Sequence, residues 1–544
     1  MDRRLKDSGA TRINSAASCS RFLSVLVLIL VLARAFGEGT AAGSQFEHPR
    51  FDPTREDLYL RKAQAYVEQN RKMPVNLKLI DVSTNAPIVN AEATFQQTAH
   101  DFVFSAPSDA NSRLRDELGA DYLALFYWPL NWAKIEPQSG VFDFGQSDSI
   151  IYQSGYGYRV WVGFQVLPHA YFAGRPDEFL PKWVDWKRLD DPQAFATYIS
   201  QVQQFVRTVV AHYKDHIRFW MTENEINAPG YLVSSGFTKK PLWTLDQALQ
   251  ISKAIAIAIR EASPQAVITL MTSPMSADWL PSAQFIDPLR FAKLSIDTGV
   301  PFDALGFETY LFDGSPADFY EYMQKVYGLG KSVFLVEVAY WSCVPPVISD
   351  QGLQLKWNTF DEATQAKWLE YMLTYAFGTS SVGFNWFMFR DFPASYYQGQ
   401  GGGEDFLRLE KCAGLVSESG NPKQAYYTYQ RLIRSWTTNG TAVTDATGTL
   451  EFMGFAGNYS ISIDGYMTSR FHVTDQGGSN TITLAMKPSV KSTTIKSTTI
   501  SLSGTVQQVQ TPTNDRLYLI AAMAIAAILA VLGIPEIRKK RNPK

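Results

Sequence analysis

The stretch IRFWMTENEINAPG, from Ile217 to Gly230, indicates how the chain folds. Its first five residues form a short, largely apolar run, which ends abruptly in polar residues and a Pro-Gly pair. Such a run reads as a fully buried strand followed by a loop. Glu225 comes just after this strand, and barrel enzymes carry their reactive groups at that end of a strand. The stretch therefore predicts a buried parallel strand with a carboxylate at its exit.

The same pattern recurs in VFLVEVAYW, from Val333 to Trp341. Val333 to Val336 form the apolar run, and Glu337 stands at its end. Two glutamates at the ends of two parallel strands are the minimum equipment for cleaving a glycosidic bond. Either glutamate alone could be an ion-paired residue of the barrel wall. The pair, among many aromatic residues, favours catalysis.

Eight apolar runs, most of them separated by amphipathic helical patterns, predict an α/β fold of the (β/α)8 TIM barrel class. The alternative is an open doubly wound sheet, but no Gly-rich nucleotide loop follows the first run. The predicted strands are Phe102–Ala106, Tyr122–Tyr127, Val160–Val166, Phe219–Asn224, Val267–Thr272, Ala304–Tyr310, Val333–Glu337 and Gly383–Phe389. We assign residues 99–436 to this barrel.

Short alternating segments flank the barrel on both sides. VNLKLIDV (75–82) and AEATFQQT (91–98) alternate apolar and polar residues around Asn85-Ala86-Pro87, which predicts a β-hairpin. With a preceding helix, this hairpin forms an N-terminal segment at residues 44–98. Short strands punctuated by Gly and Asp predict a small β module at residues 437–487.

The two ends of the chain predict a membrane-anchored protein. Residues 1–43 combine basic residues, the apolar run FLSVLVLILVL and small-residue sites, as in a secretory signal peptide; an uncleaved signal anchor is the alternative. A Ser/Thr-rich stalk (488–515) leads to an apolar transmembrane helix (516–535) and a basic tail (536–544). Basic residues favour the cytoplasmic side. We therefore expect a single-pass protein of the cell membrane with its barrel outside the cell.

Composition limits the classes of partner. The net charge of −2 does not suggest a nucleic-acid surface. The chain has 13 Trp, 26 Tyr and 34 Phe, more than packing alone usually requires. Of the three cysteines, Cys343 and Cys412 lie in the predicted barrel. An oxidising exterior would permit a disulfide between them, and two free thiols are the alternative.

Several motifs along the chain resemble glycoside hydrolases of clan A, most closely the endo-β-1,4-xylanases of family 10. The motifs are WAKIEPQSGVFDF (132–144), GFETY (306–310), NWFMFRD (385–391) and GNPKQAYYTY (420–429), together with the two glutamates. The likeness covers most of residues 55–487. It implies a barrel enzyme that hydrolyses polysaccharide without a cofactor.

The resemblance also implies roles for individual residues. Glu225 corresponds to the acid/base, Glu337 to the nucleophile, and Asn224 to a donor to the sugar 2-hydroxyl. Tyr310 stands where it could hold the nucleophile ionised and oriented. Trp386 matches a tryptophan under the sugar ring, and a core position is the alternative.

The chain departs from the family at the residues that grip the sugar. Trp128 and Asn131 replace an Asn and a Lys, Pro168-His169 falls where a Trp-His pair is found, and Glu308-Thr309-Tyr310 replaces a Gln-x-His motif. The remaining candidate substrate contacts are Asn131, Trp132, His169 and Glu308.

We expect a retaining hydrolase of β-1,4-linked polysaccharide, with xylan or a related β-glycan as substrate. The alternative is a non-catalytic carbohydrate-binding or structural protein of the cell surface. We expect no metal site, because the pair His212 and His216 lacks a third ligand in the sequence.

Overall fold

The computed structural model of the chain describes residues 52–107, 112–126, 128–154, 159–168, 179–229, 241–273, 286–309, 315–343, 360–392, 412–475 and 480–489. The predicted signal peptide (1–43), transmembrane helix (516–535) and basic tail (536–544) lie outside these ranges, as do Tyr310 and His169. Within the described ranges, no helix has the length and apolar character needed to span a bilayer.

Strands and helices alternate through the middle of the chain and give way to strands at both ends. The strands are β1 (Lys72–Asp81), β2 (Glu92–His100), β3 (Val103–Pro107), β4 (Tyr122–Phe126), β5 (Arg159–Phe164), β6 (Ile217–Glu223), β7 (Val267–Thr272), β8 (Ala304–Thr309), β9 (Ser332–Val338), β10 (Gly383–Trp386), β11 (Asn439–Val443), β12 (Thr449–Phe455), β13 (Gly457–Ile463), β14 (Ser469–Val473) and β15 (Asn480–Met486). The α-helices are α1 (Pro53–Tyr66), α2 (Ser112–Leu118), α3 (Trp132–Ile135), α4 (Gly145–Ser154), α5 (Pro192–Tyr213), α6 (Leu245–Ala262), α7 (Pro288–Asp297), α8 (Pro316–Tyr327), α9 (Glu362–Phe377) and α10 (Gln424–Ser435). A π-helical turn (Val67–Arg71) follows α1, and short 3-10 turns lie at Trp128–Leu130 and Trp186–Arg188.

Strands β3 to β10 close into a parallel barrel in chain order, with β10 paired to β3. All eight strands begin and end within a few residues of their predicted bounds. The prediction of a TIM barrel is confirmed, and closure of the sheet excludes the open doubly wound alternative.

Large aromatic side chains fill the barrel interior. Trp161 packs its ring 5.2 Å from that of Phe334, and Phe219 lies 6.4 Å from Phe334. Glycines on neighbouring strands make room for them: a Cβ at Gly383 would lie 2.7 Å from the Phe334 ring. Alternate residues of each strand face outward into a larger apolar layer under the helices. The interior is therefore a packed core, and chemistry is confined to its ends.

The prediction of an N-terminal hairpin is wrong, because β1 and β2 belong to different sheets. Strand β1 lies between β12 and β15, whereas β2 lies between β11 and β13 in a sheet that ends with β14. The two sheets share a core to which β1 contributes Leu77 and the other sheet contributes Phe95 and Ile461. Strands β1 and β2 thus join β11 to β15 in one β-sandwich. Alternation shows which residues of a strand are buried but does not identify its partner strand.

Cys343 and Cys412 form a disulfide, with Cα atoms 5.7 Å apart. Cys343 follows β9 and Cys412 follows β10, so the bond links the loops after the seventh and eighth barrel strands. The carbonyl oxygen of Cys412 also accepts hydrogen bonds from the Ser342 amide (3.0 Å) and from Gln365 Nε2 (3.2 Å). The loops beside Glu337 are therefore fixed by both covalent and polar contacts.

We expect the double variant Cys343→Ala/Cys412→Ala to have a lower free energy of unfolding. The cysteines are separated by 69 positions, and closing a loop of that size stabilises a fold by about 2–4 kcal/mol, chiefly by constraining the unfolded chain. Chemical denaturation of both proteins, with and without a thiol reductant, measures the change. Reductant should destabilise the wild type and leave the variant unaffected; equal stability of the two proteins would contradict the prediction.

Candidate active site

Backbone strain concentrates at the carboxyl-terminal end of the barrel. Phe126, Glu225 and Met388 adopt positive φ angles of 48°, 45° and 76° at or just after the ends of β4, β6 and β10. Residues other than glycine rarely adopt this conformation, and they cluster in this state at functional sites. The only other such residues in the described ranges are Asn85 and Asn90, whose residue type tolerates it. These three strained residues indicate that the candidate active site lies at the barrel mouth.

Glu225 lies in the turn after β6, buried to 7% exposure. The next residues fix this turn: Asn227 Oδ1 accepts from the Ser273 amide (2.8 Å), and Asn227 Nδ2 donates to the Ile286 carbonyl (2.7 Å). Beside Glu225, the Oδ1 atom of Asn224 is buried and has no hydrogen-bond partner among the described residues. A buried acceptor without a partner is unfavourable, so a ligand hydroxyl bound there would be stabilised.

Glu337 lies at a bulge in β9. Opposite β8, the register steps from Phe307↔Leu335 to Glu308↔Glu337; opposite β10, it steps from Phe384↔Leu335 to Trp386↔Val338. Strand β9 thus contains one extra residue relative to both of its neighbours.

The bulge changes the direction of the Glu337 side chain. Phe334 and Val336 face the barrel interior. Without the bulge, regular alternation would turn Glu337 outward and Val338 inward. Val338 instead belongs to the outer layer. Bulges next to active sites commonly re-aim a side chain in this way. Glu337 is 9% exposed and lies in register with Glu308.

Glu308 brings a further carboxylate to the mouth. It lies on β8 at 3% exposure, opposite Glu337 in the sheet, and adjacent strands in register are separated by about 5 Å. The structure thus brings Glu308 and Glu337 together at strands six and seven, with Glu225 and Asn224 at the same end of strand four.

A buried glutamate that the sequence analysis did not single out supports the site from behind. The carboxylate of Glu223 accepts hydrogen bonds from the Val166 amide (2.6 Å), the Leu167 amide (3.2 Å) and Gln165 Nε2 (2.8 Å). Burial raises the pKa of Glu223 well above its ordinary range, and the two backbone amides act in the opposite direction. Glu223 therefore joins the loop after β5 to β6.

Two of the predicted contacts, Trp132 and Asn131, are buried and have partners within the protein. Trp132 is fully buried, stacks on Phe205 with ring centroids 4.8 Å apart and donates from Nε1 to Glu136 (2.8 Å). Asn131 caps α3 by accepting from the Lys134 amide (3.2 Å).

Trp386 is also fully buried, in the outer layer with Phe384, and its Nε1 donates to the Ala413 carbonyl (2.8 Å). For this residue, burial favours the core position that the sequence left as the alternative to a sugar platform.

Aromatic side chains also lie at or just after the carboxyl ends of β4 and β10. Phe126 packs edge to face on both Trp161 (4.9 Å) and Phe387 (6.0 Å), and the Phe387 amide donates to the Val338 carbonyl (2.8 Å). Trp128, just after β4, is 52% exposed.

The described residues contain no group of three or more acidic, His or Cys side chains that could hold a metal ion. His212 instead pairs with Asp148 (2.9 Å) and stacks on Phe144 with ring centroids 3.9 Å apart.

The fold is a closed parallel barrel, and its candidate active site has buried glutamates at strands four, six and seven. Residues 129–366 match the family described as Glycosyl hydrolase family 10. This match includes β5 to β9 and both Glu225 and Glu337, and it confirms the predicted resemblance to family 10.

Two curated relatives match at low identity. The anti-sigma-I factor RsgI6 of Acetivibrio thermocellus is 23% identical over 414 residues, covering 74% of this chain and 46% of the relative. An endo-1,4-beta-xylanase of Agaricus bisporus is 24% identical over 211 residues, covering 38% of this chain and 57% of the relative. The chain thus spans about half the length of the curated relatives it matches.

Solved structures resemble the chain more distantly. Xylanase 10B of Thermotoga maritima has a TM-score of 0.43 at 15% identity, covering 62% of this chain and 95% of that one. The exo-beta-1,4-mannosidase Op5Man5 of an Opitutaceae bacterium has a TM-score of 0.43 at 18% identity, covering 65% of this chain and 62% of that one. At these scores, the likenesses do not bear on substrate or mechanism.

Proposed function

We propose that the protein is a retaining glycoside hydrolase that cleaves β-1,4-linked polysaccharide, xylan or a related β-glycan, by double displacement. The observation that carries the proposal is the placement of Glu225 and Glu337, both buried, at the mouth ends of strands four and seven of a closed barrel. Retaining hydrolysis requires two carboxyl groups on either side of the bond. Strands four and seven are three places apart around the eight-stranded barrel, so these residues approach the mouth from different walls.

The two residues have complementary roles in this proposal. Glu337 attacks the anomeric carbon while protonated Glu225 donates its proton to the departing glycosidic oxygen, and a covalent glycosyl-enzyme forms. Glu225, now ionised, then takes a proton from water, which displaces Glu337 and restores the starting configuration. The chemistry needs no cofactor, since two carboxyl groups supply both the nucleophile and the proton transfers.

Other residues at the mouth bind the sugar in this proposal. The unpartnered Oδ1 of Asn224 can accept a hydrogen bond from a hydroxyl of the ring bound beside Glu225. Tyr310 and His169 lie outside the described residues; Tyr310 as the residue that orients the nucleophile and His169 as a substrate contact stay predictions. The rings of Phe126, Phe387 and Trp128 offer flat apolar faces of the kind that stack on sugar C–H surfaces.

We also propose that the barrel acts outside the cell, at its surface. The apolar segments within residues 1–43 and 516–535 support this location as a signal peptide and an anchor. The disulfide between Cys343 and Cys412 supports it independently, because such bonds persist mainly in oxidising compartments.

A panel of β-glycans tests the activity directly. Purified full-length protein is incubated with xylan, mannan and mixed-linkage β-glucan, and released reducing ends are measured. Proton NMR of the first product then gives the anomeric configuration. We expect release from at least one polymer, with a β-configured initial product. An initial α product would contradict double displacement.

The second candidate function is carbohydrate binding without hydrolysis. The observation that favours it is the exposure of the Trp128 ring, 52%, just after β4. This function predicts that the same polymers bind measurably, for example by calorimetry, and remain intact after prolonged incubation.

A further inference from the structure

The bulge in β9 leaves a backbone carbonyl to be satisfied by a side chain. Asn385, on β10, donates from Nδ2 to the carbonyl oxygen of Val336 at 2.9 Å, and both residues are fully buried. Val336 immediately precedes Glu337 and lies at the point where the register shifts against β10. A side-chain amide thus supplies a hydrogen bond to the strand just where the regular ladder is interrupted.

The other end of the Asn385 amide makes no comparable contact. Its Oδ1 atom is buried and has no hydrogen-bond partner among the described residues. Leaving a buried acceptor unpaired destabilises a fold. A leucine or valine at this interior position would avoid that penalty, so the polar side chain is not explained by the stability of the barrel interior.

We propose that Asn385 is a positioning residue for Glu337: its hydrogen bond to Val336 stabilises the bulge that turns the nucleophile into the barrel mouth. The inference rests on the proposed function in assigning Glu337 as nucleophile. Asn385 acts through the backbone of β9 and does not touch substrate.

Asn385→Leu removes the donor while keeping a side chain of similar size, and Asn385→Asp keeps the shape while replacing the donor with a carboxyl group. We expect Asn385→Leu to lower kcat/KM on an aryl β-glycoside by about 10–100-fold, mainly through kcat, because misplacing a reacting group by about 1 Å can slow a reaction on the order of 100-fold. Thr269→Val is the matched control, since Thr269 is a fully buried residue of β7 whose Oγ1 also lacks a partner in the described chain. It should stay within about twofold of the wild type.

The pH dependence of Asn385→Asp activity distinguishes a positioning role from a purely structural one. An ionised carboxylate repels the Val336 carbonyl, whereas a protonated one can donate a hydrogen bond to it. The activity of Asn385→Asp relative to wild type should therefore rise as the pH is lowered, while that of Asn385→Leu should show no such recovery. A constant ratio for Asn385→Asp across pH would contradict the proposal.

A double-variant comparison separates positioning of Glu337 from a general effect on the barrel. In Glu337→Ala supplemented with azide, the external anion takes the place of the carboxylate, so adding Asn385→Leu should leave the azide-supported rate unchanged. An equal loss with and without Glu337 would overturn the proposal.

A crystal structure of Asn385→Leu tests the same point without any activity, so it is informative even if the proposed function fails. The expected result is a Glu337 side chain rotated away from the mouth or a shifted bulge between Leu335 and Val338. An unchanged bulge and Glu337 orientation would overturn the positioning role, whatever the protein hydrolyses. If Asn385→Leu does not fold, the structure of Asn385→Asp at neutral pH answers the question.

Discussion

Glu337→Ala is expected to lower kcat for an aryl β-glycoside by at least about 10⁴-fold, because loss of a catalytic nucleophile removes the step that forms the covalent intermediate. Added azide should restore turnover by entering the space left by the carboxylate. It attacks the anomeric carbon from the same side as Glu337 and is not displaced, so the product is an α-glycosyl azide. Phenol release followed by absorbance, together with NMR of the azide adduct, measures both effects.

Glu223→Ala provides the control for this experiment. Glu223 is also a buried glutamate of the barrel, but its carboxylate is occupied by the amides of the loop after β5. Whatever activity that variant loses should not respond to azide. If azide fails to accelerate Glu337→Ala, or if the adduct has the β configuration, Glu337 is not the nucleophile.

Glu225→Ala is expected to show a loss that depends on the leaving group. General acid catalysis contributes about 10²–10⁴-fold, and that assistance matters most when the departing oxygen is strongly basic. Cleavage of a natural polysaccharide should therefore fall by about 10³–10⁴-fold, whereas formation of the glycosyl-enzyme from a dinitrophenyl glycoside should be nearly unaffected. Burst kinetics across a series of aryl glycosides of differing leaving-group pKa give the dependence.

Azide again distinguishes the role of the residue. In Glu225→Ala, the intermediate on Glu337 still forms, and azide attacks it from the opposite face to give a β-glycosyl azide. Opposite anomers from the two variants would identify the acid/base and the nucleophile separately. A loss for Glu225→Ala that is equal for good and poor leaving groups would reject its role as the acid.

The barrel could be predicted from the sequence because each of its strands is a short apolar run with a distinct end. Val267–Thr272 was predicted with the bounds that the structure shows. The positions of Glu225 and Glu337 followed from the same pattern, since both come where an apolar run stops. Burial determines these features, and the pattern of apolar residues along the sequence indicates which residues are buried.

Features that depend on neighbouring strands could not be predicted in the same way. VFLVEV shows no sign of a bulge, because the extra residue exists only relative to β8 and β10. The partner strands of β1 and β2 lie more than 300 residues away along the chain. Trp386 was open to two interpretations, since a tryptophan on a barrel strand can face a ligand or a helix, and only the register decides between them.

The pairing of β1 with β15 has a mechanical consequence. The two strands run parallel through seven register pairs, from Val75↔Asn480 to Asp81↔Met486. Just after β15, the Ser489 amide donates to the Gly465 carbonyl (2.9 Å). The amino end of β1 follows α1, whose Glu56 accepts hydrogen bonds from the Ala317 amide (3.0 Å) and the Tyr375 hydroxyl (2.8 Å). Tension between the amino end of β1 and the carboxyl end of β15 would load this parallel ladder lengthwise, so that its hydrogen bonds would have to yield together instead of unzipping one after another.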